Sequence, residues 1–500
     1  METTAQKSGF FSRLFSWKTL RIGLIVIAAL VTLLVALVTE ENWRARRDWE
    51  KYKAAQEAKG EHFDMDSFIP KLPPPDQNFA MTPFLAPLQD YKMVDGQVQW
   101  NDSNALSRMK AVGVERSNDH QNEWPSPGDW RRGEFCDLVK WQTYYRDNTN
   151  SPGNPRQQAP AIDVLLALRK FDPVFSELQT ASERPYAVFP FYHDLQLNTE
   201  RFSECKRLVR LISLRATAEL EANQSAEALK DVKVCLTLSK LFQHEPLLIS
   251  QLVRISMIEV SIQPIWEGLA RHRWTDEQLQ DLQIALAEIQ PLDDYPFVMR
   301  GERAFGNGVM EQYRAGHLPG NISFGPLGKF INKAILYHNQ VALNRLMEGF
   351  GLPAVDVTEH RVFPERCDVN VISSIISKRN PYNFLAWMSV AAYVKVPTRF
   401  ARVQTSVDLA TVATALERYR LAHGDYPESL SPLSPAFGKL PNDVISGQPL
   451  KYRRTQEGQF ILYSIGWDGT DDGGKVAAKP SGAADLEKEK GDWVWQYPSK

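Results

Sequence analysis

The sequence predicts a mainly α-helical protein with an N-terminal transmembrane helix and a small α+β module at its C terminus. Three observations predict this: an uncharged run at Ile22–Thr39, helically spaced apolar residues over 161–290, and a long helical stretch followed by short strand-like segments near the end. The chain of 500 residues is long enough for several domains. We divide it into 1–60 (tail, transmembrane helix at 20–39, juxtamembrane helix), 61–90 (linker), 91–375 (helical domain, with 161–290 the best defined part) and 376–500 (α+β module).

The charge balance argues against nucleic acid as a partner. Lysine and arginine total 58 and aspartate and glutamate total 60, which leaves a formal net charge of −2. Nucleic-acid-binding domains usually carry a basic excess. The composition, 43% hydrophobic and 24% charged, is that of folded protein, so we expect disorder only in linkers and at the ends.

The run Ile22–Thr39 contains no charged residue and, with its edges, makes about 20 helical residues, enough for a hydrocarbon core of about 30 Å. Trp17 and Trp43 flank it at the positions of an aromatic belt. The alternative is a cleaved signal peptide, whose apolar region spans about 7–15 residues before a small-x-small site. This run is longer, and "VTEEN" is a poor cleavage site. We therefore predict an uncleaved single-pass anchor, with the bilayer as one partner.

Charge does not decide the orientation of this anchor. The basic residues before it are Lys7, Arg13, Lys18 and Arg21, and those soon after it are Arg44, Arg46, Arg47, Lys51 and Lys53. Because the positive-inside rule compares these two counts, a near tie leaves the orientation to other arguments.

The segment after the anchor divides into a helix and a proline-rich stretch. Residues 40–60 are rich in good helix formers and end at Gly60, so we expect them to continue the membrane helix outward. The stretch "FIPKLPPPDQNF" follows, and consecutive prolines favour a stiff extended chain. This pattern predicts that residues 61–90 form a linker that holds the body off the bilayer.

The region 161–290 predicts amphipathic helices joined by short breaks. Apolar stripes run through Ser203–Glu221 and Ser225–Phe242, and a third helix follows Pro246, with Pro264 expected to kink or end it. Thr275 with Gln278 has the spacing of a capping box, which opens a fourth helix. Short breaks between such helices favour antiparallel helical hairpins.

The first two of these helices resemble one tetratricopeptide repeat. Ala216 and Ala228 match its small packing positions, and Cys235 stands where a third small residue usually lies. The resemblance implies stacked helix pairs and a core position for Cys235. The four cysteines, Cys136, Cys205, Cys235 and Cys367, show no CxxC spacing. Disulfides, with three possible full connectivities, and buried free thiols both stay open.

The C-terminal stretch predicts a long helix followed by a small sheet. Arg402–His423 has an apolar helical stripe and is followed by Gly424 and Pro427, a usual C-terminal stop. "PLKYRR" and "QFILYSIG" read as two strands around the turn "TQEGQ". The loop "YSIGWDGTDDGG" at 463–474 and a last strand in "GDWVW" complete the module.

These C-terminal motifs resemble the globular part of the major pseudopilin of type II secretion systems. The resemblance rests on "ALERYRLAHGDYP", "LPNDVISGQPLKY", "YSIGWDGTDDGG" and "GDWVW", in that order, over about a fifth of the chain. It implies a pseudopilin-like head, a long helix plus a short antiparallel sheet. It also implies a bound calcium ion, with Asp468, Asp471, Asp472 and Asp492 as ligands.

The chemistry of the loop agrees with calcium, which takes about 6–8 oxygen ligands that glycine-rich turns can supply. An insertion, "KVAAKPSGAADLEKEK", separates Asp492 from the other three aspartates. A metal-free turn is the alternative, because Asp and Gly are the ordinary turn residues.

The N terminus departs from the pseudopilin pattern. Gly9–Phe10 stands where the family is cleaved, but Leu14 occupies the position of its glutamate, and charges interrupt the apolar run. The chain therefore reads as an anchored helical protein with a pseudopilin-like head. The whole chain also resembles uncharacterised membrane-anchored proteins of planctomycete and verrucomicrobial type. That resemblance favours the inner (cytoplasmic) membrane with the bulk of the chain outside the cytoplasm.

No local catalytic motif is present. HExxH, GxSxG, phosphate-loop and dinucleotide patterns are all absent from the sequence. Two short stretches place His beside acidic residues, "YHDLQ" (Tyr192–Gln196) and "TEHRVFPERCDV" (Thr358–Val369). Two functional hypotheses follow.

The first hypothesis is a non-enzymatic, extracytoplasmic scaffold that binds a protein partner; the pseudopilin resemblance links it to a secretion or pilus-like assembly. The second is a periplasmic hydrolase whose site is assembled from residues distant in sequence, around Glu302, Arg303 and His360. The absence of a local motif favours the scaffold.

Overall fold

The computed structural model describes residues 17–94, 97–112, 125–147, 151–191, 200–316, 332–434, 438–478 and 486–498, which are mainly helical with small antiparallel sheets. The α-helices are α1 (Trp17–Glu57), α2 (Ala105–Ala111), α3 (Leu138–Asp147), α4 (Pro160–Leu168), α5 (Asp172–Ala181), α6 (Glu200–Glu221), α7 (Ser225–Lys240), α8 (Leu248–Ala270), α9 (Asp276–Ala287), α10 (Tyr295–Ala315), α11 (Lys333–Leu346), α12 (Val369–Ile375), α13 (Phe384–Tyr393) and α14 (Val396–His423). The strands are β1 (Tyr91–Val94), β2 (Gln97–Trp100), β3 (Val355–Asp356), β4 (Arg361–Val362), β5 (Lys451–Arg454), β6 (Phe460–Ser464), β7 (Val476–Ala478), β8 (Leu486–Gly491) and β9 (Trp493–Trp495). The predicted cleavage position Gly9–Phe10, with Leu14, and the stretch Tyr192–Gln196 lie outside these residues.

Helix α1 is one unbroken helix of 41 residues, so the predicted continuation of the apolar run into the charged segment is confirmed. Its most apolar window has a mean hydropathy of 2.9 and is 0% buried within the protein. The helix is long and apolar enough to cross a membrane, a property that it shares with N-terminal signal sequences. Its charged half is different, because Ala45 and Trp49 there are buried against the body.

The charged half of α1 packs along α11 in parallel orientation. The side chain of Asn42 accepts a hydrogen bond from the Ala334 N–H at 2.7 Å, at the start of α11. Further along α1, Gln56 donates to the carboxylate of Glu348, two residues beyond the end of α11, at 2.9 Å. The long helix is therefore part of the folded body as well as a candidate membrane span.

Residues 61–90 are packed on the body, so the prediction of a spacer is wrong. Phe63 and Phe68 are 4% and 7% exposed, and Phe79 and Leu85 are fully buried. The Glu61 carboxylate accepts hydrogen bonds from two arginines of α10. The proline run is only a short part of this segment, and the apolar side chains on either side of it pack into the hydrophobic core.

Helices α6 to α9 form the predicted antiparallel hairpins, with bounds within a few residues of those expected. Ala216, Ala228 and Cys235 are all fully buried. The capping box is present: the Thr275 hydroxyl accepts from the Gln278 N–H, and the Gln278 side chain accepts from the Thr275 N–H. Pro264 lies inside α8, which continues to Ala270, so it does not end that helix. All four cysteines are buried free thiols.

The C-terminal part has the predicted order of elements. Helix α14 begins six residues before the predicted start at Arg402 and ends at His423, where Gly424 adopts a left-handed φ of 84°. Strands β5, β6 and β9 form a three-stranded antiparallel sheet in that order, with Tyr463 opposite Val494. The insertion after the Asp/Gly loop forms a separate hairpin of β7 and β8.

One hydrophobic core joins the helical body to the C-terminal sheet. Buried residues of this core include Trp130 before α3, Ile258 of α8, Leu409 of α14 and Trp495 of β9. Trp130 and Trp495 lie with ring centroids 5.2 Å apart. Helix α14 therefore lies between a helical layer and the sheet. This position explains why most side chains of its first five turns are buried.

Candidate functional site

The Asp/Gly loop is closed by the carboxylate of Asp492. This side chain is 1% exposed and accepts hydrogen bonds from the backbone N–H groups of Asp472 (3.3 Å), Gly474 (2.6 Å) and Lys475 (3.3 Å). Burial raises its pKa, and these N–H groups act in the opposite direction. Asp492 thus bridges the long gap in sequence and reaches the loop.

The other loop carboxylates also have local partners. Asp468 accepts from the N–H groups of Thr470 (3.1 Å) and Gly491 (3.0 Å). Asp471 accepts from the Tyr463 hydroxyl at 2.9 Å and lies 3.3 Å from the Lys451 ammonium.

The backbone is tight in the same region. A Cβ at Gly466 would lie 2.1 Å from the carbonyl oxygen of Gly491, so only glycine fits there.

As placed, the side chains of the loop do not form a calcium site. Calcium needs about 6–8 oxygens directed at one point. Among the residues that the structure describes, no group of three or more His, Cys, Asp or Glu side chains is placed to hold a metal ion. The oxygens of Asp468 and Asp492 face N–H donors instead. The residues predicted as ligands do come together in part, as acceptors that stabilise a turn. Calcium binding stays a prediction of the resemblance.

The three residues of the hydrolase hypothesis have separate partners. Glu302 accepts from the Leu248 N–H at 3.0 Å, and burial raises its pKa. Arg303 donates to Glu61 at 2.5 Å. His360 lies 3.6 Å from Asp293. Glu302 and Arg303 therefore act in packing α10, and the described residues do not join His360 to them in one site.

The cysteine of the stretch Thr358–Val369 is equally unsuited to catalysis. Cys367 is buried, and its Sγ lies 3.4 Å from the carbonyl oxygen of Phe363. Burial raises the pKa of this thiol to about 12, so it stays protonated at neutral pH.

A cleft of about 320 Å³ lies beside the point where α1 meets the body. Its lining includes His338, Ile375 and Tyr382. The His338 ring contacts Glu41 of α1 at 3.1 Å and the Tyr382 ring at a centroid distance of 4.7 Å. Exposed aromatic, apolar and basic side chains occur on α1 and on the segment around α13: Trp43, Tyr382, Met388, Lys378 and Arg379.

A small cavity of about 20 Å³ lies where α14 meets the last strand. Residues that line it include Trp130, Arg402, Thr405, Leu409, Asp492 and Trp493. Three polar atoms on these residues are buried without a hydrogen-bond partner: Arg402 Nη1, Thr405 Oγ1 and Trp493 Nε1. Sequence reasoning missed this group. Its one signal in the sequence was an Arg and a Thr three residues apart at the start of a predicted helix.

No protein-family model, curated protein or solved structure gives a significant match to the chain.

Proposed function

We propose that this protein is a single-pass, membrane-anchored, non-enzymatic scaffold that holds its helical body against the outer face of the inner membrane and binds a protein partner there. The observation that carries the proposal is the unbroken helix α1. Its first half is apolar and unburied, and its second half is packed into the body.

The packing of α1 supports an uncleaved anchor. A signal sequence is followed by a processing site in accessible chain. Here the chain after Thr39 stays helical, and its next turns already contact α11 through Asn42 and Glu41. Trp49 is 4% exposed and packs edge-on against Phe63 at 5.7 Å. Cleavage near residue 40 would have to unfold the start of this contact.

The same packing sets the distance of the body from the bilayer. A helix rises about 1.5 Å per residue, so Asn42 lies only about 5 Å beyond Thr39. The polar layer on each side of the hydrocarbon core is about 5–7 Å thick. The exposed rings of Trp43 and Tyr382 suit this layer, and Lys378 and Arg379 suit anionic headgroups.

A groove of about 300 Å³ in the helical body is our candidate for the partner site. It is lined by residues 182–187 and by side chains of α7 and α9. Tyr186 is 47% exposed and Ile284 is 57% exposed there. Lys233, which pairs with Asp281, forms part of the charged border. Apolar anchors within a charged border are the usual composition of a protein-binding surface.

Two further parts of the proposal rest on the resemblances. The similarity of the C-terminal motifs to the major pseudopilin supports a link to a secretion or pilus-like assembly. The similarity of the whole chain to membrane-anchored proteins of planctomycete and verrucomicrobial type supports an extracytoplasmic body.

Fractionation of cells that produce the full-length protein tests the anchor. We expect the intact chain in the membrane pellet after alkaline carbonate, with its C-terminal part digested by protease added to spheroplasts. A soluble product with a new N terminus near residue 40 would show a signal sequence instead. Protection from protease in intact spheroplasts, with digestion only after lysis, would place the body in the cytoplasm.

Site-specific photo-crosslinking tests the partner groove. A photoreactive residue at position 284 should give a crosslinked product of higher mass in native membranes. Val139 is 61% exposed and lies on α3, away from the groove, so position 139 is the matched control. Equal crosslinking from both positions, or none from position 284, would contradict a partner in this groove.

A further inference from the structure

We propose that the cavity between α14 and β9 is a binding site for a small monovalent anion, either a halide ion or a carboxylate group. The site is separate from the membrane anchor, and Asp492, which closes the Asp/Gly loop, forms part of its lining. It is defined by Arg402, Thr405 and Trp493, which line one small space and each carry a buried polar atom without a hydrogen-bond partner.

The donors come from two elements that meet only in the folded protein. Arg402 and Thr405 are one helical turn apart on α14, and Trp493 begins β9. Thr405 is 1% exposed and Trp493 is 8% exposed. Buried polar groups are almost always hydrogen-bonded, because an unpaired donor costs about 1–3 kcal/mol. Three unpaired groups around one cavity therefore indicate a ligand that accepts from all of them.

The donors select an acceptor with negative charge. Arginine and indole N–H groups can only donate, and a hydroxyl can also donate. The Nη1 atom of Arg402 is buried without a hydrogen-bond partner. No ion pair of Arg402 occurs among the described residues, and the Glu259 and Asp129 carboxylates act on its charge from farther away. Arg131, beside it, already pairs with Asp129 and Glu259, at 2.9 Å and 3.0 Å.

The charges around Arg402 act in both directions. Burial lowers the pKa of Arg402 and the Arg131 charge lowers it too, whereas the Glu259 and Asp129 carboxylates raise it. Asp492 also lines the cavity, but its carboxylate faces the three backbone N–H groups of the loop. The anion therefore lies beside the guanidinium and not beside the Asp492 carboxylate.

The size of the cavity limits the ligand to a few atoms. A volume of about 20 Å³ exceeds the roughly 10–15 Å³ that one water molecule requires, and it is too small for a sugar, a nucleotide or a phosphate ester. A chloride ion or the end of a carboxylate fills such a space. Because its donors lie on α14 and β9, a bound anion would fasten the sheet to the helical body.

Thermal melting of the detergent-solubilised full-length protein tests the site. In each titration, chloride, bromide, formate or sulfate replaces the bulky anion gluconate at constant ionic strength. We expect Tm to rise with anion concentration and then to saturate, either with both halides or with formate. The stabilisation should follow RT ln(1 + [L]/Kd). Saturation with formate alone identifies a carboxylate ligand, and saturation with the halides identifies an ion. Equal rises in every salt, sulfate included, would show only general screening and would overturn the site.

The variants separate this site from other anion effects. Arg402→Gln should weaken the apparent affinity at least about tenfold, since a hydrogen bond to a charged group contributes about 1.5–3 kcal/mol. Arg399→Gln is the matched control, because Arg399 is exposed on the same helix. If Arg402→Gln does not fold, Trp493→Phe removes one N–H and keeps the ring. Unchanged anion affinity in Trp493→Phe would overturn the proposal.

A crystal of the full-length protein grown in bromide gives the direct measurement. An anomalous peak in the cavity, within hydrogen-bond distance of Arg402 and Trp493, is the expected result if the ligand is a halide. Ordered water alone in the cavity, in bromide and in formate, would overturn the site.

Discussion

Replacing Trp49 with alanine should detach the long N-terminal helix from the body. Trp49 is 4% exposed and lies between Phe63 and Tyr52, with ring centroids 5.7 Å and 6.2 Å away. A buried tryptophan removes roughly 200 Å² from water, which at about 25 cal/mol per Å² corresponds to about 5 kcal/mol. Measured Trp→Ala changes in cores cost about 3–5 kcal/mol. We expect Trp49→Ala to lower the free energy of unfolding by that amount.

Trp43 is the matched control on the same helix. It is 60% exposed, and its described ring contact is with Arg47, whose guanidinium carbon lies 5.4 Å from the ring centroid. An exposed cation–π contact contributes about 0.5–1 kcal/mol, so Trp43→Ala should cost no more than that.

Urea unfolding of the full-length protein in mild detergent, followed by far-UV circular dichroism, compares the two variants. At a slope of about 3 kcal/mol per M, Trp49→Ala should lower the urea midpoint by about 1–1.7 M, and Trp43→Ala by no more than about 0.3 M. Trypsin adds a local measurement, because Lys51 and Lys53 should become cleavable in native conditions only in Trp49→Ala. Equal midpoints for the two variants would refute the packing of α1 on the body, and with it the argument for an uncleaved anchor.

Three other measurements check separate parts of the structure. Ala228 is fully buried, so Ala228→Phe should overpack the α6–α7 hairpin and cost about 1–3 kcal/mol; an unchanged Tm would contradict that core. Burial raises the pKa of Asp408 to about 8 from an ordinary 3.8, so its contribution to stability is full below pH 3.8 and is lost as pH rises to about 8. Asp408→Asn should therefore flatten the pH dependence of the urea midpoint between pH 4 and 8; a parallel profile in wild type and variant would refute this. For the Asp/Gly loop, the hydrogen bonds of Asp492 predict equal Tm values in calcium and in chelator, and Asp492→Ala should lower both. A higher wild-type Tm in calcium that is lost in Asp468→Ala would instead show that the loop binds calcium.

The sequence alone determined the features that depend on local pattern. The uncharged run, the apolar stripes of α6 to α9, the capping box at Thr275 and the turn "TQEGQ" each depend on residues close together in the chain. Helical periodicity, cap chemistry and turn residues act over a few residues, so they can be read without knowing the fold. The mainly helical class, the long apolar helix and the small antiparallel sheet followed from them.

The tertiary structure decided where these elements pack and which polar groups meet. The pattern at 61–90 predicted a spacer, because its prolines are visible in sequence while the core that receives Phe63 and Phe79 is not. The resemblance implied Asp492 as a metal ligand, and the structure adds that its carboxylate accepts hydrogen bonds from backbone N–H groups, which have no sequence signature. Arg402 and Trp493 are far apart in the chain, and only the packing of α14 on the sheet places their unpaired donors around one cavity. Burial and hydrogen bonding between distant residues depend on three-dimensional packing, which no short stretch of sequence encodes.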